Sequence, residues 1–424
     1  MMMNRFVSLF TIICFLCFRS PVFSVSLKEI EREFQEKNLF LLSKQYEIES
    51  SRAQILQARL WQNPNLYIEQ NVYNWKTGRY FDVTSKGQSV VSFQQLIELG
   101  GKREKRIQAK SLLKGITEYE LYDLTRALKF ELRSAFFSLY YYREMMEFYK
   151  GSSRSISETI ARMEKSYSDK DVTLSEIMRL KAILFLLDNE SANLSVKIQE
   201  QEDSLRLLLN QTESNRFPVL ELDESGLDRL DIFSLNVTDL QDWGEKNRPD
   251  VQIADLMIQY ERTNLSLAKA EVIPDLNLGI LWDRQGSYIE NYYALTASIA
   301  LPINDRNQGN IKSAEQSVKT SEVKKEIVRN KLRKEIYASW KKAFEKDKVY
   351  QSYAKNFIVD YHSLAEVMLK NYTKRYITII EFADFFDAYR QSMEQFLNLR
   401  IERLQSFENL NFSVGFNLLE LEKN

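Results

Sequence analysis

An internal duplication constrains this chain more than any other feature. A pattern in its first half returns about 205 to 210 residues later, and a repeat of that kind has to be read before single elements are assigned. Pro64-Asn65-Leu66-Tyr67-Ile68 returns as Pro274-Asp275-Leu276-Asn277-Leu278. Tyr167, Lys170, Thr173 and Glu176 return, in the same spacing, as Tyr372, Arg375, Thr378 and Glu381. Between these anchors each copy carries a strand, a short polar segment, a second strand and a very long helical stretch. A globular core has no use for helices of that length, and a two-stranded hairpin alone makes no core. The combination predicts a tube.

Helix breakers are scarce enough to serve as punctuation. Ser26-x-x-Glu29 is a capping box that opens a first helix, expected to run to about Trp61. From about Gly101 to Tyr167 runs a stretch of roughly 65 residues, about 100 Å long if helical, in which Gly115 and Gly151 are expected to mark bends or joints. A second helix runs from Thr173 to about Asn210, with Leu174, Ile177, Leu180, Leu184, Leu187, Leu194, Ile198, Leu205 and Leu208 forming a narrow seam of the coiled-coil type. Copy two repeats the plan from about Pro249 to Val272, Asn310 to Tyr372 and Thr378 to Phe412. Pro249 fits a helix's first turn, where no N–H is needed. In each copy two shorter helices laid end to end match the long one, which predicts a cylinder of antiparallel helix pairs about 100 Å tall.

The four strand candidates have the length that crosses a bilayer when tilted. In copy two Leu276, Leu278, Ile280 and Trp282 alternate with Asn277, Gly279 and Asp283, with Leu281 the exception; Tyr293, Leu295, Ala297, Ile299 and Leu301 alternate with Ala294, Thr296, Ser298 and Ala300. One face is apolar and the other small or polar, as lipid on one side and a lumen on the other require. Copy one (Leu66 to Val72, Val90 to Ile97) alternates less cleanly, with Gln70 and Gln95 on the apolar side. Trp61, Tyr73, Trp75, Tyr80, Trp282, Tyr288 and Tyr292 lie near strand ends, in the manner of an aromatic girdle. Four strands cannot close a membrane barrel, whose smallest natural form has about eight, and an open edge in lipid would leave backbone groups without partners. Three chains would supply 12 strands.

The near-neutral formal charge of −1 implies no polyanion-binding surface and no nucleic-acid partner. Arg5, the apolar run from Phe6 to Phe18 and Val22-Phe23-Ser24 read as a secretory signal over residues 1–24. Both cysteines, Cys14 and Cys17, fall inside it, preceded by Ile13 and Leu16 rather than a small residue, which argues against lipidation. The mature chain is then expected to have no disulfide, no cysteine-based metal site and no cysteine chemistry. Residues 25–210 form the first repeat (hairpin 64–97, tip turn 168–172), residues 211–246 an irregular linker wrapped on the outside, and residues 247–424 the second repeat (hairpin 274–302, tip turn 373–377).

Four further segments carry a family resemblance: Gln62-Asn63-Pro64-Asn65-Leu66, Gln95 to Arg103 (reading Gln-Leu-Ile-Glu-Leu-Gly-Gly-Lys-Arg), Asn247-Arg248-Pro249-Asp250-Val251, and Ala300 to Ile311 with Pro302, Asn304, Asp305 and Gly309. As an ordered, duplicated set the chain resembles the TolC-like outer-membrane efflux proteins over its mature length, and the Glu98 to Arg103 stretch resembles the CzcC-like heavy-metal branch. The resemblance implies a mainly helical homotrimer: a periplasmic α-barrel capped by a 12-stranded β-barrel in outer-membrane lipid. It also implies a passive exit duct for small solutes, metal cations among the candidates. The duct would be joined through a periplasmic adaptor to an inner-membrane pump, with the resistance-nodulation-division type as one candidate. A type I secretion duct, or a periplasmic coiled-coil scaffold without a pore, remain as alternatives. Family tips usually carry Gly three residues after the Tyr, where this chain has Lys170 and Arg375, so a dedicated adaptor is expected.

The candidate site is therefore the pair of tips. Thr173 with Glu176 and Thr378 with Glu381 read as capping boxes that stiffen the turns; Tyr167, Lys170, Tyr372 and Arg375 read as exposed aromatic and cationic contacts for the adaptor. Glu381, Asp384 and Asp387 follow at steps of three on one helix face, either an acidic ring at the periplasmic mouth or a solvated face. His362, the only histidine, reads as a surface or packing residue. No nucleophile–base pattern or phosphate loop is visible, and neither enzyme activity nor a cofactor is expected.

Overall fold

The computed structural model describes residues 24–167, 172–212, 217–222, 231–286, 288–353, 357–416 and 418, with the side chains of 166 and 357–363 excepted. Residues 1–23, which hold both cysteines and most of the expected secretory signal, thus lie outside the described residues, as do Lys170 and the His362 side chain.

Copy one opens with β1 (Ser24–Ser26), α1 (Leu27–Lys37) and α2 (Leu39–Arg59). The Ser26–Glu29 capping box is present, but the single first helix expected up to Trp61 is divided at Asn38. That residue's side chain accepts from the Leu41 N–H and donates to the Leu208 carbonyl at 2.8 Å. With Asn38 only 2% exposed, these bonds repay its buried amide better than helix continuation would. There follow β2 (Asn65–Gln70), the small pair β3 (Tyr73–Asn74) and β4 (Arg79–Tyr80), β5 (Ser89–Ile97), α3 (Lys102–Tyr167) and α4 (Leu174–Leu208). The 66 residues of α3 are one unbroken helix. Gly115 and Gly151 do not interrupt it; a lone glycine costs about 1 kcal/mol, which a helix packed on both sides absorbs.

The connecting segment is more ordered than the expected irregular linker. It contains β6 (Val219–Glu221), parallel to β1, and α5 (Val237–Asn247). Copy two comprises α6 (Pro249–Ala270), β7 (Leu276–Asp283), β8 (Tyr292–Ile299), α7 (Gln308–Tyr353), α8 (Phe357–Thr373) and α9 (Ile379–Val414). Pro249 stands in the first turn of α6.

The helices form one wall. α2 and α4 lie along one side of α3, α6 and α9 along its other side, and α7 packs against both α6 and α9. The end-to-end stacking expected from helix lengths is therefore present. On α4 the seam residues Ile177, Leu180, Leu187, Leu194, Leu205 and Leu208 are buried, each worth roughly 1.5–3 kcal/mol; Leu174, at its exposed start, is not. The wall is thickest near its middle. There Leu132, Phe136, Phe137 and Leu139 of α3 are fully buried, in one core with Phe407 of α9 and Ile232 of the connecting segment. Charged pairs are buried at this level too: Arg133 bridges Glu31 and Glu408, and Arg403 donates to Asp347 at 2.6 Å.

Candidate functional site

At one end of the wall β2, β5, β7 and β8 form a four-stranded antiparallel sheet in that order. Its register sorts the residues into two faces. Leu66 opposes Phe93, and Ile68 opposes Val91; Phe93 opposes Ile280, and Val91 opposes Trp282; Ile280 opposes Leu295, and Trp282 opposes Tyr293. Through these pairs an apolar face runs over all four strands. The other face carries Ser92, Gln94, Asn277, Gly279, Asp283, Thr296 and Ser298, along with Tyr67, Val90, Leu96 and Leu281. The apolar face is open: Leu295 is 89% exposed, Ile68 66% and Ile280 58%. Both outer strands, β2 and β8, keep a free edge.

The two polar exceptions on the apolar face bond internally. Gln95 donates to the carbonyls of Gln62 and Leu96, and Gln70 takes the Ser89 hydroxyl and donates to the Asp82 carbonyl. Both lie near strand ends, where the cost of a polar group next to hydrocarbon is lowest. Of the aromatic residues expected near strand ends, Tyr73, Trp75, Tyr80, Trp282, Tyr288 and Tyr292 gather at the end of the sheet away from the helices. Trp61 stands at the near end, under the Arg103 guanidinium at 4.8 Å. No helix among the described residues is long and apolar enough to cross a membrane.

At the opposite end the tips are built by caps. Thr173 and Glu176 form a full capping box, as do Thr378 and Glu381. Glu176 does more than cap: its second oxygen accepts from Arg375 Nη1 at 2.7 Å, so the tip of copy two is tied to that of copy one. Burial opposes ionisation of Glu176, yet the Thr173 backbone N–H, Arg375 and the Thr173 hydroxyl outweigh it and lower its pKa. Glu381, which among the described residues bonds within its own box, has its pKa lowered too, by the Thr378 N–H and hydroxyl.

Arg375 has a backbone role that its sequence neighbours did not announce. The Tyr376 N–H bonds to the Asn371 carbonyl and the Arg375 N–H to the Tyr372 carbonyl, which is the Schellman closure of α8. Arg375 sits at its left-handed position with φ 67°, where glycine is the usual residue. A non-glycine side chain there costs on the order of 1–2 kcal/mol.

Tyr372 departs from expectation. It is not an exposed contact but 3% exposed, stacked on Phe382 at 5.1 Å, with its hydroxyl donating to Met163 Sδ. Burial, then the nearby Glu176 charge, push its pKa up to about 12. Its counterpart Tyr167, the last residue of α3, is 47% exposed. The copies differ because α9 packs against α3 as well as α7, which covers the second tyrosine. A cavity of about 510 Å³ opens beside Tyr372, lined by Arg162, Met163, Val172 and Arg375 among others.

Asp384 and Asp387 are exposed on α9. Asp387 accepts from Arg390 and Gln391 of its own helix, while Glu381 is held by its cap, so the three carboxylates are not gathered around one point. Among the described residues no cluster of His, Cys, Asp and Glu is arranged to hold a metal ion.

A four-stranded open sheet on a helical wall of this height matches solved outer-membrane channels. The Vibrio cholerae outer membrane protein VceC superposes with a TM-score of 0.71 at 16% identity, covering 92% of this chain and 96% of that one. The Campylobacter jejuni CmeC outer membrane channel gives 0.73 at 14% identity, covering 94% and 87%. The fold is that of the TolC-like outer-membrane efflux channels. CusC, another of these, gives 0.74 at 14% identity over 92% of each chain. In sequence, the chain is 26% identical over 275 residues to the cobalt-zinc-cadmium resistance protein CzcC of Cupriavidus metallidurans, covering 63% of this chain. The aligned part spans about 60% of that curated relative's length. No protein-family model matches.

Proposed function

We propose that three copies of this chain form the passive exit duct of a tripartite efflux system, with the β-barrel in the outer membrane and the helical barrel in the periplasm. The observation that carries the reading is the continuous, exposed apolar face of a sheet whose two edges are open. Such a face wants lipid, and such edges are forbidden in lipid unless a neighbouring chain pairs with them. Pairing β2 of one chain with β8 of the next removes every edge.

The helical wall supports the same closure. Its outer helices expose large apolar side chains, Met178, Phe185 and Val196 on α4 and Val323, Ile327 and Tyr337 on α7. Those rows fit a neighbouring copy and have no evident purpose in a single-chain scaffold. The duct needs a lined path and a mouth, not catalysis, so the reading assigns no enzyme activity. The tips, with Tyr167, Lys170 and the Glu176–Arg375 pair, are assigned to adaptor docking, and an inner-membrane pump completes the path. CzcC's name ties that relative to cobalt, zinc and cadmium, which favours metal cations as cargo here over polypeptides of a type I secretion route.

Cross-linking of detergent-extracted protein tests the assembly. A three-chain species that sediments with outer membranes and resists carbonate wash is expected; a stable monomer in detergent would sink the barrel argument.

A further inference from the structure

The loop that joins β2 to β5, residues 71–88, is more than a turn. It leaves the sheet at the end away from the helices and holds the β3–β4 pair, with Tyr73 packed on Tyr80 at 4.9 Å. Its interior is organised by Asp82, itself only 2% exposed. That carboxylate accepts from the Thr77 and Thr84 hydroxyls, both at 2.6 Å, from the Thr84 N–H and from Asn74 Nδ2. Those bonds, the Thr77 hydroxyl first, hold Asp82 well below the usual carboxylate range. Arg284 and Gln285 of the β7–β8 turn then pin the loop by donating to the carbonyls of Val83 and Ser85. The loop is a built platform.

What this platform presents is unusual for a surface in contact with water. Trp75 is 77% exposed, Tyr80 72%, Phe81 60% and Val83 70%. Lys76, Arg79 and Lys86 are exposed between them, and among the described residues their side chains form no ion pair. The one carboxylate of the segment, Asp82, is turned inward and saturated, so the outward charge is wholly positive. Lys76 lies 5.6 Å over the Trp75 ring. The platform follows directly on the outer end of the sheet, where Trp282 lies opposite Tyr293.

From this we infer that residues 71–88 dock phosphorylated lipid headgroups of the leaflet facing away from the helical barrel. Aromatic rings with an apolar body and a polar edge partition to the headgroup level, and lysine and arginine beside them attract anionic headgroups. A soluble partner protein would not require the cations and rings to stand at the outer end of a sheet with an exposed apolar face. The inference rests on the barrel reading above and adds a lipid class to it. Each cation near an anionic surface strengthens binding about fivefold, so the three together account for roughly two orders of magnitude per chain.

The test uses the full trimer purified in an uncharged detergent and titrated with diphosphorylated lipid A or with phosphatidylcholine, bound lipids being counted by native mass spectrometry. The unmodified trimer is expected to retain lipid A in preference to phosphatidylcholine, with retention falling at high salt. The variant Lys76→Gln, Arg79→Gln, Lys86→Gln should form trimers in normal yield and lose most of that preference; Trp75→Ala should weaken retention of both lipids. Equal retention of lipid A by the unmodified and triple-variant trimers overturns the inference and leaves the duct intact. Release of lipid A by a matching concentration of inorganic phosphate also overturns it, since the site would then read a free anion. Failure of the unmodified chain to form a trimer overturns the duct reading itself, and this inference with it.

Discussion

Replacing Leu295 with Arg separates a membrane barrel from every soluble alternative, because the two make opposite demands on one side chain. Leu295 is the fourth of eight residues in β8, lies directly opposite Ile280, and is 89% exposed. On a soluble sheet an exposed leucine is dispensable, and a charge there changes stability by no more than about 0.5 kcal/mol. In a bilayer the same position falls near the midplane, where arginine costs about 2–4 kcal/mol. Each closed barrel carries three copies, so the total is roughly 6–12 kcal/mol, comparable with the whole stability of a typical domain.

The control is one residue away. Thr296 points to the other face, opposite Gly279, which has no side chain to collide with a new carboxylate. Thr296→Asp should reach the outer-membrane fraction as the unmodified chain does, survive carbonate wash and give a trimer on cross-linking. Leu295→Arg should be lost from that fraction. If both variants insert equally, or if Leu295→Arg inserts as well as the parent, the alternation does not report lipid against lumen and the reasoning fails.

The remaining predictions concern the body and the tips. Asp347 is fully buried, one oxygen bonded to Arg403 and the other without a hydrogen-bond partner among the described residues. Arg403→Met should therefore destabilise the trimer by about 3–5 kcal/mol, and adding Asp347→Leu should recover much of that loss in thermal melts; an undiminished melting temperature for the single variant would refute the pairing. At the tip Arg375→Gly relieves the left-handed strain while removing a half-exposed ion pair worth no more than about 1 kcal/mol, so folding should be unharmed. Glu176 has a lowered pKa in the folded state. Its contribution is thus present above the ordinary carboxylate range and fades as pH falls through the folded value. Hydrogen-exchange protection factors in the first turn of α4 should be independent of this group above the ordinary carboxylate range and should fall as pH drops below that range. Charge reversal at both tips, Lys170→Glu with Arg375→Glu, should abolish export and spare trimer yield; surviving export would place recognition elsewhere.

The duplication, the long helices and the strand alternation were legible because they rest on periods of about 3.6 and 2 that local sequence carries directly. Much of the tip was not. Tyr167 and Tyr372 occupy equivalent sequence positions, and only the packing of α9 on α3 buries the second. The signal for Arg375's backbone role is its place in the position that takes glycine in similar tips. The break at Asn38 followed the same logic in reverse: a polar residue inside a helical pattern was bonded across to Leu208, a contact 170 positions away. The caps Ser26, Thr173 and Thr378 are legible because both halves of each bond lie within four residues.

The sheet and the wall share one arrangement, which gives the assembly its dimensions. α2 leads into β2, β5 continues into α3, α6 leads into β7, and β8 continues into α7, so each strand stands over one column of helices and both follow the same order. Three copies make 12 columns. At about 10 Å between helix axes the helical ring is about 120 Å around and about 38 Å across. The same 12 strands, spaced about 4.8 Å and tilted by about 40°, make a ring only about 24 Å across. Every junction must therefore step from a narrow ring to a wider one within a few residues. Where strands pass into the long helices the backbone does this in left-handed conformations, at Gly100 and Gly101 (φ 70° and 67°) in copy one and at Asn307 (φ 57°) in copy two. A Cβ at Gly100 would approach Ile273 Cδ1 to 2.9 Å, so neither that turn nor its packing against the end of α6 admits a larger residue. Where the shorter helices enter the strands, Pro64 and Pro274 fix the entry instead. The duplicated segments that begin at Pro64 and Pro274 are the repeated solution to one geometric mismatch.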